Sequence, residues 1–310
     1  MSESHCTVRN YSPDDFDSYV RLHVEAEELD GAGYCVSPRV LRENLGRPNY
    51  SPELDLFMAE VEGVVKGCMN LTPELGIGRV LLNCLVHPDH RRKGLATQLY
   101  YSALRRASSL GVRVVQGDIG EGNIAARNWL SRLDFRFIRR FLELRLDLTE
   151  ARLVDAANTH FTCRHLRRGE EGVLAEIQNL SFSGTWGYNT GTFEEIAYRV
   201  SLSDCCPEGI ILVCEEEQPA GYCWVTMRTE VDASAGTRKG RIYMLGVLPG
   251  HRGRGLGRVS LLTGLSYLRS QGVEIAELTV DSENREACAL YKSVGFRPYS
   301  NTLWYEKALE

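Results

Sequence analysis

The same pattern of residues occurs twice in this 310-residue chain, at a fixed distance along the sequence. Arg91 and Arg252 lie 161 positions apart, as do Gly94 and Gly255. The same offset joins Pro88 to Pro249, Gly111 to Gly272, Asn123 to Asn284, Ala126 to Ala287 and Phe135 to Phe296. A match of this length without a gap indicates a duplicated domain. The chain is also long enough for two domains of about 150 residues.

Earlier in each copy the offset is slightly smaller. It is 155 between Arg9 and Arg164, so the second copy contains extra residues, which we expect in the loop Glu230–Gly240. The predicted division is an N-terminal domain over residues 1–150 and a C-terminal domain over residues 160–310, joined by a short linking segment.

Each copy has the same predicted order of elements. Hydrophobic periodicity and turn residues indicate the order β-α-(α)-β-β-β-α-β-α-β, which is typical of an α/β domain around a mixed sheet. A final pair of strand-like runs is predicted to end each copy, the last of them at Arg140–Leu148 and Thr302–Ala308. The other runs of the first copy are Cys6–Asn10, Asp14–Glu27, Leu56–Val61, Val64–Leu71, Arg79–Val86, Val112–Gly117 and Ile124–Arg132.

A loop rich in glycine and arginine connects the strand-like run Ile242–Val247 to an amphipathic run with Leu256, Val259, Leu262, Leu265 and Leu268 at helical spacing. Four glycines and three arginines lie between Gly250 and Arg258. A strand that turns through glycines into a helix directs several backbone N–H groups at one point, and arginines add charged donors. This pattern predicts a phosphate or pyrophosphate site. It is neither a P-loop, which needs Gly-Lys-Ser/Thr, nor a dinucleotide fingerprint, because Arg258 stands at the third glycine position.

The motif Arg252-x-x-Gly255-x-Gly257, with the downstream segment Asn-x-x-Ala-x-x-x-Tyr-x-x-x-Gly-Phe that ends at Phe296, resembles the GNAT superfamily of N-acetyltransferases. The resemblance covers both copies and therefore nearly the whole chain. It implies two tandem GNAT acyl-CoA N-acyltransferase domains with acetyl-CoA as co-substrate and no metal.

In the second copy, the resemblance assigns the pantetheine arm to the backbone of the strand before the loop and the pyrophosphate to the loop itself. Asn284 would hold the pantetheine side or the entry to the next helix. Tyr291 would donate a proton to the departing CoA thiolate, since the pKa of a phenol, about 10, lies near that of a thiol, about 8.5. The acetyl-CoA residues assigned in this way are Leu245, Gly246, Val247, Arg252, Gly253, Arg254, Gly255, Leu256, Gly257, Arg258 and Asn284.

The first copy retains the loop but loses the tyrosine. Leu130 occupies the position of Tyr291, and its side chain cannot transfer a proton. The second copy is therefore expected to be catalytic, and the first to be non-catalytic while still able to bind CoA. Its corresponding residues are Cys84, Leu85, Val86, Arg91, Arg92, Lys93, Gly94, Leu95 and Ala96.

The general base of the second copy is left open by the sequence. Active relatives place a glutamate at the start of the strand before the loop, where this chain has Arg241, which cannot accept a proton at neutral pH. The alternatives are another carboxylate, a water chain, or an acceptor amine that arrives neutral. The candidate carboxylates are Glu230, Asp232 and Asp281. Trp186, Tyr188 and Phe193 are candidates for the acceptor pocket or for ordinary core packing.

Composition limits the possible partners. The formal net charge of −5 argues against a nucleic-acid or anionic-membrane surface, and local basic clusters on an acidic protein suit a small anionic ligand. The ten cysteines include no Cys-x-x-Cys pair, so a structural zinc site is not expected. No signal-peptide pattern or long apolar run is evident, and we expect a cytoplasmic protein, monomeric or homodimeric.

The sequence thus predicts acetyl transfer from acetyl-CoA to a primary amine of a small molecule, by direct attack in a ternary complex. Two alternatives remain open at this stage. One is acetylation of a protein N-terminus or a lysine. The other is a non-catalytic acyl-CoA-binding or regulatory protein, which the arginine at position 241 and the degenerate first copy would favour.

Overall fold

The computed structural model describes residues 6–30, 37–153, 161–227 and 237–309. The chain forms two compact units. The first comprises residues 1–139 together with 303–310, and the second comprises residues 140–302. Part of the predicted linking segment and most of the predicted loop insertion lie outside the described residues.

The first unit is a mixed sheet with helices on both faces. Its strand order is β1-β2-β3-β4-β5, followed by the end of β12. All of these neighbours up to β4 are antiparallel, whereas β4 and β5 are parallel. The elements are β1 (Cys6–Asn10), α1 (Phe16–Asp30), α2 (Pro38–Leu45), α3 (Pro52–Asp55), β2 (Leu56–Val61), β3 (Val64–Glu74), β4 (Arg79–Val86), α4 (Leu95–Ser109), β5 (Val114–Gly120), α5 (Ile124–Arg132) and the start of β6 (Arg136–Asp147).

The second unit repeats this plan. Its strand order is β7-β8-β9-β10-β11, followed by the part of β6 from residue 140 and the part of β12 up to residue 302. The elements are β7 (Thr162–His165), α6 (Glu171–Phe182), α7 (Phe193–Val200), β8 (Cys205–Glu215), β9 (Gln218–Met227), β10 (Lys239–Val247), α8 (Leu256–Ser270), β11 (Ile275–Asp281), α9 (Arg285–Val294) and β12 (Arg297–Ala308). The α/β class and the mixed sheet expected from the sequence are confirmed.

In each unit, one hydrophobic core lies between the sheet and the loop helix, which is the helix that follows the glycine-containing loop: α4 in the first unit and α8 in the second. In the first unit, Leu99 and Ala103 of α4 pack on Val80 and Val115 of the sheet. In the second, Leu261, Leu265 and Leu268 of α8 pack on Ile242 and Leu278. The five residues predicted to form the apolar stripe of α8 are all buried. Each helix therefore begins where its loop ends, with its apolar face fixed against the parallel strand pair.

The end of each copy differs from the prediction. A pair of strand-like runs was expected, but β6 and β12 are each a single continuous strand of 12 residues. Leu142, Leu144 and Leu146 of β6 belong to one core cluster of the second unit, together with residues of β11. Alternation of this kind continues through the strand because every second side chain faces the same core. No helix among the described residues is long and apolar enough to cross a membrane.

Candidate active site

The parallel strands of the second unit separate soon after they meet. β10 pairs with β11 only from Lys239 to Arg241, and beyond that point its pairing continues on the β9 side alone. The β9 register shifts between Ile242 and Met244, which marks a β-bulge. The edge of β10 toward β11 therefore carries backbone N–H and C=O groups without a sheet partner on that side. Leu245, Gly246 and Val247, the predicted pantetheine residues, lie in this part of the strand.

The gap that opens between β10 and β11 beyond Arg241, called the wedge below, leads to the glycine-rich loop. Gly253 and Gly255 have φ angles of +74° and +93°, a left-handed conformation that glycine adopts without strain. A Cβ added at either position would meet no atom within 4 Å, so the space above the loop is open. Gly255 then forms the N-cap of α8. The backbone N–H groups from Gly253 to Gly257 have no backbone acceptor among the described residues.

Charged side chains surround this set of N–H groups. Arg252 donates to the carbonyls of Val247, at 3.2 Å, and Ser181, at 2.6 Å, which fixes the beginning of the loop. Arg254 and His251 both contact Glu215, with His251 Nδ1 at 2.8 Å from its Oε2. Arg258 donates to Ser293 Oγ at 2.9 Å. A helix N-terminus with free N–H groups and adjacent guanidinium groups fits a pyrophosphate.

Asn284 lies at the entry to α9. Its Oδ1 accepts a hydrogen bond from the backbone N–H of Ala287 at 3.0 Å, the normal geometry of an N-cap. Of the two roles expected for Asn284, the structure therefore displays the helix entry. Asn123 caps α5 in the same way, through Ala126 at 3.0 Å.

Tyr291 lies on α9 and is 8% exposed. Gly295, at φ +108°, ends the helix, and Phe296 folds back so that its N–H donates to the carbonyl of Tyr291 at 3.1 Å. The two rings are 5.8 Å apart in an edge-to-face arrangement. Burial raises the pKa of the Tyr291 phenol. The Tyr-x-x-x-Gly-Phe segment thus fixes the position of the buried Tyr291 side chain through the helix end and the Phe296 ring.

The first unit contains a cavity of about 1060 Å³ in the equivalent wedge. β4 pairs with β5 only from Arg79 to Leu81. Gly94, at φ +87°, is the N-cap of α4, and Arg92 takes a φ of +61° where the second copy has a glycine. The cavity is lined by the predicted residues Cys84, Leu85, Val86, Arg91, Arg92, Gly94, Leu95 and Ala96, whereas Lys93 is not among its lining residues.

Three features distinguish the first wedge. Leu130 occupies the Tyr291 position and lines the cavity, with Phe135 N–H donating to its carbonyl at 3.1 Å. Arg91 is paired with the carboxylate of Asp30 through contacts of 2.7 and 2.5 Å. The register of β4 against β3 is regular throughout, so this strand has no counterpart of the bulge in β10.

Several candidates outside the loop have defined places. Tyr188 stacks on Phe182 and donates to Asn179 Oδ1 at 2.7 Å, so it is held within its own segment. The ring centroids of Trp186 and Phe141 are 6.1 Å apart, and Phe193 is exposed at the start of α7. Asp281 accepts from Glu283 N–H at 2.9 Å in the turn before α9. Glu230 and Asp232 lie outside the described residues. Glu215, which contacts His251 and Arg254 of the loop, was not a candidate in the sequence. Its equivalent in the first copy, Glu60, binds Arg9 instead of the loop.

Comparison with known proteins agrees with this geometry. The model of the acetyltransferase (GNAT) family matches residues 21–135 and again residues 174–296. The mycothiol acetyltransferase of Stackebrandtia nassauensis is 29% identical over 283 residues, which cover 90% of this chain and 91% of the relative. The mycothiol acetyltransferase of Mycolicibacterium smegmatis is 30% identical over 289 residues, which cover 91% of this chain and 92% of the relative.

A solved structure extends the likeness to the tandem architecture. A tandem GNAT protein from the clavulanic acid biosynthesis pathway superimposes with a TM-score of 0.73 at 18% identity, covering 98% of each chain. The two tandem GNAT domains expected from the sequence are thus confirmed. Both copies therefore belong to the acetyltransferase (GNAT) family, and the protein is an acetyl-CoA-dependent N-acetyltransferase.

Proposed function

We propose that the second copy transfers the acetyl group of acetyl-CoA to a primary amine of a small molecule, while the first copy holds CoA without reacting. The observation that carries the division of labour is the tyrosine in one wedge and the leucine in the other. Tyr291 and Leu130 occupy the same helix position, and a phenylalanine N–H binds the carbonyl of each. The two wedges thus differ at the helix position to which the resemblance assigns the proton donor.

The acceptor class rests on the relatives. The two proteins compared above are mycothiol acetyltransferases and match nearly the full length of this chain. Mycothiol is a small molecule, and a related enzyme of the same length is expected to retain an acceptor site of similar size. We therefore place a small amine, rather than a protein segment, on the side of the thioester away from the CoA loop.

The reaction needs both reactants side by side. The pyrophosphate would bind the loop Arg252–Arg258, and the pantetheine arm would run along the unpaired edge of β10. Free N–H groups on this edge would polarise the thioester carbonyl. The amine nitrogen then forms a bond to the acetyl carbon, and the carbon–sulfur bond breaks as CoA leaves as a thiolate. Proximity supplies much of the rate, because no further collision is required.

Tyr291 would protonate the departing thiolate. Burial raises the pKa of the phenol, and the same apolar surroundings destabilise the thiolate, which makes the sulfur more basic there. The proton transfer is therefore between two groups that are affected in the same direction. A phenol held neutral at physiological pH is always ready to donate.

The test is acetyl transfer by the unmodified protein and by Tyr291→Phe. The panel of acceptors contains the unacetylated amine precursor of mycothiol, glucosamine, cysteine amide and a lysine-containing peptide. We expect a small amine to be acetylated and the Phe variant to be at least about tenfold slower in kcat, with little change in KM for acetyl-CoA. Equal rates would exclude Tyr291 as the acid. Preference for the peptide would instead support the protein acetyltransferase alternative.

A further inference from the structure

The closed end of the wedge in the second unit is spanned by one side chain. Arg241 is the last residue of β10 that pairs with β11, and its guanidinium donates to Thr279 Oγ1 of β11. Thr279 lies two residues beyond Glu277, the partner of Arg241 in the parallel register, and so belongs to the wall of the wedge. The resemblance to the GNAT superfamily implies a glutamate at position 241. The side chain expected to carry negative charge at this point instead carries positive charge.

A carboxylate lies directly against this arginine. Glu143 Oε2 is 3.5 Å from Arg241 Nη2, and it accepts a hydrogen bond from the Thr279 hydroxyl at 2.7 Å. Thr302 Oγ1 donates to the other carboxylate oxygen at 3.4 Å. The Glu143 side chain is 15% exposed. It is thus held in place by three side chains from three strands and still reaches solvent.

The strand pattern places Glu143 on the correct face. Leu142 and Leu144 of β6 face the core under α8 and α9, so Glu143 between them faces the opposite side of the sheet. Glu143 pairs with Thr279 in the antiparallel register of β6 and β11. Tyr243 of β10 is on this same face, where its ring contacts Trp224. The face with Glu143 is therefore the one opposite the loop helix.

Other carboxylates of this region are committed elsewhere. Glu277 is 7% exposed and accepts two hydrogen bonds from Arg145, at 3.0 and 2.7 Å. Asp281 caps the turn before α9 through Glu283 N–H. Neither shares the Thr279 and Arg241 contacts at the point where the strands separate. Glu143 is the carboxylate next to position 241 among the described residues.

We propose that Glu143 is the proton acceptor of the second copy and performs the role that the resemblance assigns to a glutamate at position 241. This inference rests on the proposed acetyl transfer to an amine. As the neutral amine nitrogen bonds to the acetyl carbon it acquires positive charge, and one of its two protons becomes strongly acidic while the other stays in the amide. Glu143 takes that proton, directly or through one water, as Tyr291 gives its own to the thiolate. The products are the amide, CoA thiol, a protonated carboxyl group and a phenolate, and both side chains then exchange protons with solvent.

The surroundings of Glu143 suit this role. The Glu143 carboxylate offers two acceptor oxygens at the point where the strands separate, so it can accept a hydrogen bond from the nitrogen of a neutral amine. The nitrogen of the tetrahedral adduct is positively charged and strongly acidic, so a carboxylate is sufficient as the proton acceptor. Arg241 then acts as a positioning residue that holds Glu143 toward the wedge.

The first test is Glu143→Gln, which retains the shape and the amide oxygen for Thr279 but removes the negative charge. With acetyl-CoA and the panel amine that the unmodified protein acetylates fastest, we expect kcat to fall about 100-fold. The KM for acetyl-CoA should change less than twofold. A variant with normal kcat would overturn the proposal, as a purely structural ion pair would affect thermal stability alone.

The second test separates proton transfer from positioning. Glu143→Ala opens space for an external carboxylate, so added sodium formate should restore activity at least about fivefold and in a saturable manner. Glu277→Ala is the matched control: it also removes an ion-paired carboxylate from this sheet face, and formate should not accelerate it. Absence of rescue in Glu143→Ala, or equal rescue in the control, would overturn the assignment.

A third variant tests the exchange of roles. The double variant Glu143→Gln, Arg241→Glu places a carboxylate at position 241, to which the resemblance assigns the base. We expect its kcat to be at least about tenfold higher than that of Glu143→Gln alone. If Tyr291→Phe lowers the rate while all Glu143 variants are normal, this inference fails and the proposed function stands. If the unmodified protein acetylates no amine, both fail.

Discussion

The first arginine of the loop, Arg91 or Arg252, donates to the carbonyl of the preceding strand in both copies but has a different second partner in each. In the first copy, Arg91 is paired with the carboxylate of Asp30, whereas the equivalent Arg252 donates only to carbonyl oxygens of Val247 and Ser181. A carboxylate neutralises the guanidinium and competes with an anionic ligand, but a carbonyl orients it and leaves its charge available. We therefore expect Asp30 to weaken anion binding at the Arg91 position of the first copy.

The strand before the loop differs as well. β10 has a bulge between Ile242 and Met244, and β4 pairs with β3 without interruption. A bulge redirects backbone groups at the point where a thioester would lie. Because of this difference and of Tyr291 against Leu130, we expect both copies to retain the binding wedge and the second copy alone to retain the reactive geometry.

The largest expected effect comes from blocking one loop at a time. Gly255→Glu places a carboxylate among the N–H groups of the second loop, and we expect turnover to fall at least about 100-fold, since anion binding there is essential. Gly94→Glu is the matched control, because both glycines are helix N-caps with φ angles near +90° and open space around the Cβ position. It should leave turnover within about twofold. The reverse result would assign catalysis to the first copy.

A second comparison concerns pH. His23 on α1 is in the position of Gln178 on α6, one offset of 155 further along the chain. Burial lowers the pKa of His23 to about 4, and its Nε2 has no hydrogen-bond partner within the described part of the chain. In the unfolded chain this pKa is about 6.5. The unfolded state therefore binds more protons between these values, and the contribution of His23 to stability is complete above pH 6.5 and lost as the pH falls toward 4.

We expect the free energy of unfolding to decrease by about 2 kcal/mol between pH 7 and pH 5 because of this residue. His23→Gln, which introduces the residue of the second copy, should remove that part of the pH dependence. Urea unfolding at the two pH values measures the difference. Parallel loss in both proteins would mean that His23 is protonated without cost in the folded state.

Much of the fold could be predicted from the repeat. The strands Cys6–Asn10, Leu56–Val61 and Arg79–Val86 and the helix Ile124–Arg132 have the predicted bounds. Even an ion pair recurs, since Arg9 binds Asp15 as Arg164 binds Glu170. These features follow from local periodicity, caps and turn residues, all of which are visible in a short window of sequence.

The strand neighbours could not be predicted. Residues 141–147 of β6 pair with β11 of the second unit, and residues 303–310 belong to the first unit. Alternating leucines specify which face of a strand is buried but not which strand lies beside it. For this reason Glu143 was invisible as a candidate: it belongs to the first copy by sequence and to the second unit by position. A chain of residues 160–310 would lack it.

The smallest expected effect tests the arginine comparison that separates the two loops. Asp30→Asn removes the charge that faces Arg91, so the first copy should bind CoA more tightly by about three- to tenfold, which corresponds to about 1 kcal/mol. Calorimetry in a Gly255→Glu background measures the first site alone, because the second loop is blocked. Thr185 is the equivalent of Asp30 in the second copy, 155 residues further along the chain. Thr185→Asp is therefore the converse change, which would add a carboxylate to that copy. Unchanged affinity in Asp30→Asn would mean that Arg91 orients the loop through Val86, whose carbonyl it binds at 3.1 Å, and that its charge does not contact the ligand.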